Sequence, residues 1–233
     1  MLTFFIFIAT IIPLILSDNI AYIEQHVGVS CVNPEYASIQ AAITASSDGQ
    51  TIVVCCGTHS VSSDIDVTKK VKIVGSMECI PKPKILFTYI CGNINLLSDN
   101  IWIDNLAIEK TVLSSGCAPE SYYAMSSSPT CIILRKNLKI TNCDFLQGFH
   151  NGIFLRYGGN VRIEDCTFHG MINSGIKINY ADGNVFIYTN CFFGWHDNAI
   201  VVAAVASGPA DSLAGGGRIL PLAGCSVFHG FRR

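Results

Sequence analysis

Residues 161–168 read Val-Arg-Ile-Glu-Asp-Cys-Thr-Phe, and two closely related segments lie before and after them in the chain. Residues 138–145 read Leu-Lys-Ile-Thr-Asn-Cys-Asp-Phe, and residues 185–193 read Val-Phe-Ile-Tyr-Thr-Asn-Cys-Phe-Phe. The isoleucines of the three segments, Ile140, Ile163 and Ile187, are therefore 23 and 24 residues apart. A second apolar pair follows each segment at the same spacing. Two signals that share one period predict an internal structural repeat.

The period has a direct structural interpretation. Val161 and Ile163 alternate with charged residues, as in a strand with one buried face. Asp165 then interrupts the alternation, and Asp and Asn tolerate the left-handed backbone that a sharp bend needs. Asn142, Asp165 and Asn190 are therefore expected to form a ladder at one corner. The sequence predicts an all-β, single-stranded, right-handed parallel β-helix, a solenoid with rungs of about 23 residues.

The chain contains eleven cysteines, a number that favours an oxidising compartment. Cys143, Cys166 and Cys191 are expected to share one inward-facing slot on consecutive rungs. They either pack there as small apolar thiols or form a disulfide between rungs; the parallel side-chain directions favour packing. The remaining cysteines are better candidates for disulfides: Cys31, Cys55, Cys56, Cys79, Cys91, Cys117 and Cys131.

The ends and one internal segment depart from the repeat. Residues 1–17 are almost wholly apolar and are interpreted as a secretory signal peptide, which leaves residues 18–233 as the β-helix domain. Residues near 111–130 are rich in Ser and Pro and are expected to form an inserted loop. No capping element is recognisable before Arg233, so a truncated C-terminal end is expected, and such an end could pair with another chain.

A short helix is expected to cap the N-terminal end of the solenoid. Asn33 and Pro34 resemble a helix cap followed by a proline at the first position. Tyr36, Ile39 and Ile43 share one apolar face of this helix, and a glycine at position 49 ends it.

The first rungs resemble those of pectin-lyase-like β-helix proteins. The segments that carry the resemblance are Ser-Ile-Gln-Ala-Ala-Ile at 38–43, Asp-Gly-Gln-Thr-Ile-Val-Val at 48–54, Gly-Thr at 57–58 and Lys-Val-Lys-Ile-Val-Gly at 70–75. With the later rungs, the resemblance covers roughly residues 36–202. It implies the β-helix fold, whereas the superfamily includes lyases, polygalacturonases, methylesterases, epimerases and non-catalytic surface proteins. Fold alone therefore does not give the activity.

The familiar catalytic motifs of this superfamily are absent from the sequence. The Asn-Thr-Asp, Asp-Asp and Gly-His-Gly motifs of polygalacturonases do not occur. Asn151 and Asn173 stand where pectin methylesterases carry carboxylates, and an amide can serve neither as acid/base nor as nucleophile. An enzyme of this sequence would be expected to resemble a polysaccharide lyase, and the sequence leaves open whether the protein is an enzyme.

Three cationic residues are candidates for binding an acidic glycan. Arg135 and Arg156 are expected to align on the outer face of one strand position, with Lys177 one step over on the next rung. Guanidinium groups bind carboxylates through paired hydrogen bonds. The alternative is that these are ordinary polar residues on the outer side of strands.

The turns before that strand supply further candidates. His150 and Trp195 are candidate substrate-binding residues, since an exposed indole can stack on a sugar. His196 and Asp197 are the weaker candidates for catalysis, because a histidine beside a carboxylate can transfer protons. The alternative for all four is an inert position in a loop.

Composition limits the partners. The formal net charge of −2 predicts neither nucleic-acid binding nor attraction to an anionic membrane once the signal is cleaved. The cysteines lack zinc-ligand spacing, so neither a metal nor a cofactor is expected.

The first hypothesis for the function is a secreted β-helix protein that contacts polysaccharide along one face. The alternatives are a non-catalytic structural or adhesive extracellular protein and a truncated, inactive relic of a lyase-like protein.

Overall fold

The computed structural model describes residues 24–27, 35–111, 123–127, 135–171, 173–181, 184–194, 198–202 and 219–222. In these residues the chain winds as a solenoid whose paired strands all run parallel. This confirms the predicted parallel β-helix. The described residues contain no helix long and apolar enough to cross a membrane.

Within the described residues, the regular elements are one helix and a series of strands. The helix is α1 (Ile39–Ala45). In chain order, the strands are β1 (Glu24–Val27), β2 (Thr51–Val54), β3 (Thr58–Val61), β4 (Ile65–Val67), β5 (Lys72–Gly75), β6 (Lys84–Phe87), β7 (Ile94–Leu96), β8 (Trp102–Asp104), β9 (Ala107–Lys110), β10 (Tyr123–Ser127), β11 (Arg135–Thr141), β12 (Asp144–Phe145), β13 (Asn151–Glu164), β14 (Thr167–His169), β15 (Ser174–Ala181), β16 (Val185–Tyr188), β17 (Cys191–Phe193), β18 (Asn198–Val202) and β19 (Ile219–Leu222).

The strands form three faces around a common core. Face A stacks β1, β2, β5, β8, β11, the second half of β13, β16 and β19. Face B stacks β3, β6, β9, β12, β14 and β17. Face C stacks β4, β7, β10, the first half of β13, β15 and β18. Strand β13 passes from face C to face A without a break, so these two faces belong to one continuous sheet.

The core is a set of side-chain columns that continue from rung to rung. Ile140 pairs in register with Ile163, and Ile163 pairs with Ile187. All three are buried. The predicted register of these isoleucines is confirmed, and each inner face is covered by its neighbouring turns and by the other two faces.

The corner between faces A and B confirms part of the predicted ladder. Asn142 and Asp165 both have a left-handed backbone, with φ of 51° and 53°. The prediction is wrong for Asn190, since Thr189 takes the bend with φ of 53°. The cause is one residue added after the bend: Thr189 follows Ile187 by two residues, as Asp165 follows Ile163, and Asn190 is inserted between Thr189 and Cys191.

The same added residue changes the predicted cysteine column. Cys143 and Cys166 are buried free thiols, so packing rather than a disulfide is confirmed for this pair. Cys191 does not share their slot, because it pairs in register with Thr167 on the outer side of face B. Asn190 fills the inward position instead and is buried.

A second asparagine ladder lies at the corner between faces C and A. Asn100, Asn137 and Asn160 have φ of 55°, 58° and 54°. The Asn137 amide donates to Asn100 Oδ1 at 2.8 Å, and the Asn160 amide donates to Asn137 Oδ1 at 3.3 Å. Each asparagine comes directly before the first inward residue of a face A strand. That recurrence is visible in the sequence.

The capping helix forms, but it begins later than predicted. Its N-cap is Ser38, whose side chain accepts a hydrogen bond from Ala41 N at 3.1 Å. The predicted cap at Asn33 is therefore wrong, and Tyr36 lies before the helix while still packing on the core. The C-cap is Ser46 rather than a glycine. A serine three residues before a free helical N–H satisfies that donor as well as asparagine does.

The structure also bears on the predicted inserted loop and on the predicted disulfides. Strand β10 lies within the segment predicted as an inserted loop, so that prediction is wrong for residues 123–127. Cys56 is bonded to Cys79, and Cys55 and Cys91 are also in disulfides, as expected for the irregular cysteines. The signal peptide, Cys31, Cys117, Cys131 and the C-terminal end lie outside the described residues.

Candidate functional site

The three cations predicted to lie close together are divided between two faces. Arg135 pairs with Gly158 on face A. Arg156 follows Leu155 on β13, and Leu155 pairs with Ser127 on face C. The predicted alignment of Arg135 with Arg156 is therefore wrong, because β10, which ends at Ser127, supplies the strand that neighbours the first half of β13 on face C. Lys177 lies on face C, where it pairs with Phe154 and is half-buried.

The predicted turn residues are only partly described. His150 is half-buried and immediately precedes β13, and its carbonyl accepts a hydrogen bond from Asn173 N at 2.8 Å. Trp195, His196 and Asp197 lie outside the described residues. Their roles in binding or catalysis stay predictions, as do those of the Arg135 and Arg156 side chains.

The outer surface of face A carries a row of cationic and aromatic side chains. The register places Lys72, Trp102, Lys139 and Arg162 next to one another on four adjacent strands. We call these four residues the face A strip. Phe186 extends the strip on the next strand and is 36% exposed. Neighbouring strands are about 4.8 Å apart, so the strip runs along the solenoid axis.

Trp102 lies between two ammonium groups. Lys72 Nζ is 3.7 Å from the centroid of the indole, and Lys139 Nζ is 3.9 Å from it. The two lysines come from the strands on opposite sides of β8, so they approach opposite faces of the ring. Each cation–π contact at such a partly exposed position is worth about 0.5–1 kcal/mol.

Hydrogen bonds fix the orientation of the indole. Trp102 Nε1 donates to Thr141 Oγ1 at 2.9 Å, and that hydroxyl donates to Asp104 Oδ1 at 2.7 Å. Asp104, Thr141 and Glu164 form a second outer row beside the strip, two residues further along each strand. The tryptophan is thus held by neighbours on both sides and along its edge.

Glu164 anchors the other end of the strip. Arg162 Nη2 lies 2.7 Å from Glu164 Oε2, and Lys139 Nζ lies 3.9 Å from Glu164 Oε1. The side chains of Lys139 and Arg162 are 33% and 50% exposed, whereas that of Glu164 is only 11% exposed. The Arg162 guanidinium also lies 5.2 Å from the ring of Tyr188. The cations therefore form the accessible layer, and the carboxylate lies beneath them.

Face B provides a contrast in how charges are used. Lys84 forms a 2.8 Å ion pair with Glu109, and Lys82 forms a 3.1 Å ion pair with Asp144. The hydrogen bond from Lys84 holds the pKa of the Glu109 carboxyl below its ordinary value. On face A, Lys72 meets no carboxylate within ion-pair distance among the side chains that the structure describes. Face A therefore offers positive charge that face B does not.

A buried lysine lies at the corner between faces B and C. Lys110 is 1% exposed, its Nζ donates to Ile90 O at 3.1 Å, and the ammonium lies 4.6 Å from the Phe149 ring. Burial lowers the pKa of Lys110 to about 8, and the charge of Asp64 partly opposes that shift. Because the amine is enclosed, its role is structural rather than ligand binding.

A simple sequence signal marks the face A strip. Lys72, Trp102, Lys139 and Arg162 each stand directly before the inward isoleucine of their strand. The isoleucines reveal the repeat, whereas the strip lies in the column of residues that precede them. Comparing this outward column from rung to rung would have identified the strip.

Comparison with known proteins identifies the fold family. The family model for a right-handed β-helix region matches residues 88–209, just over half of the chain. The chain belongs to the right-handed β-helix family. No curated protein and no solved structure matches this β-helix protein. The fold implied by the pectin-lyase-like resemblance is therefore confirmed, whereas no match assigns an activity.

Proposed function

We propose that this β-helix protein is secreted and contacts an acidic polysaccharide along the outer surface of face A. The observation that carries the proposal is the face A strip, in which three cations and an indole follow one another on adjacent strands. A linear polymer with repeated negative charges suits a linear surface with repeated positive charges. The cations proposed to bind are therefore Lys72, Lys139 and Arg162, in place of the three predicted from the sequence, Arg135, Arg156 and Lys177.

Secretion is supported by two independent features. Residues 2–16 are apolar and of the length of a signal-peptide core. The disulfide between Cys56 and Cys79 is of a kind that persists in oxidising compartments. Recovery of a product that lacks residues 1–17 from the medium of expressing cells would support secretion, and a cell-retained product that keeps them would contradict it.

Binding is tested with variants that remove equal charge from different faces. The double variant Lys72→Gln/Lys139→Gln is expected to weaken binding to polygalacturonate at least tenfold, because it removes two ammonium groups from the strip. The matched control Lys84→Gln/Lys177→Gln removes two charges from faces B and C and is expected to change the affinity less than twofold. Calorimetric titration measures both. Equal losses in the two variants, or no binding by the unmodified protein, would contradict the proposal.

A non-catalytic, structural or adhesive role is the second candidate. It is favoured by the state of the two carboxylates beside the strip: Asp104 accepts a hydrogen bond from Thr141, and Glu164 is paired with Arg162. Such engaged carboxylates suit positioning better than proton transfer. The protein is accordingly expected to bind polygalacturonate without cleaving it. Release of unsaturated or reducing ends by the purified protein would favour a lyase-like or hydrolytic enzyme instead.

A further inference from the structure

The surroundings of Trp102 differ from those of a tryptophan with an open ring face, because two ammonium groups lie within 4 Å of its ring centroid. We infer that it is a positioning residue that holds Lys72 and Lys139 as a pair of anion-binding groups. The inference rests on the proposed function and adds its specificity: the strip selects an extended glycan with anionic groups along its length and discriminates against neutral glycans.

The two faces of the indole are already occupied. Sugars bind tryptophan by laying their apolar side on the flat face of the ring. In this protein each face has an ammonium group less than 4 Å from the ring centroid. A neutral sugar would have to displace a lysine to stack there. An anionic sugar needs no such displacement, because it binds the ammonium groups themselves.

The indole also limits how freely the lysines move. A lysine side chain has several rotatable bonds, and ordering it on binding costs conformational entropy. Contact with the ring restricts Lys72 and Lys139 before a ligand arrives, and the hydrogen bond to Thr141 holds the ring itself. The ammonium groups keep their charge and part of their exposure. Part of the entropic cost of binding is thereby removed in advance.

The spacing of the cations indicates the shape of the ligand. The backbones of Lys72 and Lys139 are two strands, about 9.6 Å, apart along the axis. Their ammonium groups lie closer together than that, at 3.7 and 3.9 Å from the centroid of one indole that stands between them. Arg162 lies on the next strand beyond Lys139. A small anion reaches one of these groups at a time, whereas an extended uronan chain parallel to the axis reaches all three. Affinity is therefore expected to rise with chain length.

A double-mutant comparison separates positioning from stacking. In the otherwise unmodified protein, Trp102→Leu is expected to weaken binding to polygalacturonate about fivefold, and Trp102→Phe, which keeps a ring, less than that. In the Lys72→Gln/Lys139→Gln background, Trp102→Leu is expected to change the affinity less than twofold. Affinity of the unmodified protein is also expected to fall with added salt. Thermal unfolding of each variant establishes that the fold is retained.

Neutral oligosaccharides complete the test. A cello-oligosaccharide is expected not to bind, whereas galacturonate oligomers bind more tightly as they lengthen. If the unmodified protein bound the neutral oligomer and Trp102→Leu did not, the inference would be overturned. The proposed polysaccharide binding would still stand. A fivefold loss from Trp102→Leu in both lysine backgrounds would also overturn it. Absence of binding to every glycan would defeat the proposed function, and the inference with it.

Discussion

Asn190 occupies the inward position that Cys166 occupies one turn earlier, and its Oδ1 accepts a hydrogen bond from the Cys166 backbone N–H at 3.0 Å. Its amide nitrogen donates to Ile163 O, also at 3.0 Å. One buried side chain thus satisfies two backbone groups of the preceding turn. The extra residue in the third repeat is accommodated because this asparagine replaces hydrogen bonds that a regular corner would make.

Replacing Asn190 with leucine tests that role. Leucine has a similar volume but leaves the Cys166 N–H and the Ile163 carbonyl unsatisfied, and each buried group of this kind costs about 1–3 kcal/mol. We expect Asn190→Leu to lower the free energy of unfolding by about 2–4 kcal/mol, measured by denaturant titration. The control Asn184→Leu changes an exposed residue before β16 and is expected to cost under about 1 kcal/mol. A neutral Asn190→Leu would contradict the assigned hydrogen bonds.

A substitution at the bend residue Thr189 is expected to stabilise the protein. Thr189 has φ of 53°, and a β-branched residue is unfavourable in that region. Asn105 and Asn142 take the equivalent bends of earlier turns. Thr189→Asn is therefore expected to raise the free energy of unfolding by about 1 kcal/mol, measured by thermal or denaturant unfolding. The reverse substitution Asn142→Thr is expected to lower it, and an increase there would contradict the account of the corner.

Lys110 is expected to make the folding stability of the protein increase with pH between pH 8 and pH 10. Its pKa falls from 10.5 to about 8 on folding, because burial disfavours the ammonium. Between these values the unfolded chain binds more protons than the folded protein, so this residue makes stability rise with pH. The unmodified protein is expected to gain roughly 2 kcal/mol relative to Lys110→Met between pH 8 and pH 10.

Only the difference between the two proteins is informative in that experiment. Burial raises the pKa of the Cys166 thiol, which makes stability fall with pH in the alkaline range for both proteins. Denaturant titrations of the unmodified protein and of Lys110→Met at several pH values isolate the lysine contribution. A difference that stays constant from pH 8 to pH 10 would contradict a lowered pKa for Lys110.

The fold could be predicted because each turn of the solenoid requires the same residue types at the same positions. Ile140, Ile163 and Ile187 must all point inward in the same column, so their spacing reveals the rung length without any structural information. The bends at Asn142 and Asp165 could be predicted for the same reason, since few residues accept a left-handed backbone. These features depend on local geometry that recurs along the chain.

The site could not be predicted equally well, because a binding surface depends on register around irregular rungs. Residues 123–127, which lie in the segment expected to be a loop, form the face C strand of this turn, so Arg135 lies on face A instead. At Trp102, the residue type alone would suggest a surface on which a sugar stacks. Its ring is instead in contact with Lys72 and Lys139, which are 30 and 37 positions away in the chain. Such neighbours become visible only once the turns are stacked.

The most direct test of binding on face A uses Trp102 itself as the reporter. The chain has two tryptophans, so Trp195→Phe leaves the Trp102 indole as the sole tryptophan emitter. Titration with polygalacturonate is expected to change its fluorescence saturably as the ligand draws on Lys72 and Lys139, and Lys72→Gln/Lys139→Gln is expected to abolish the change. Saturable binding measured by calorimetry with no change in Trp102 emission would place the ligand elsewhere and contradict the assignment of this surface.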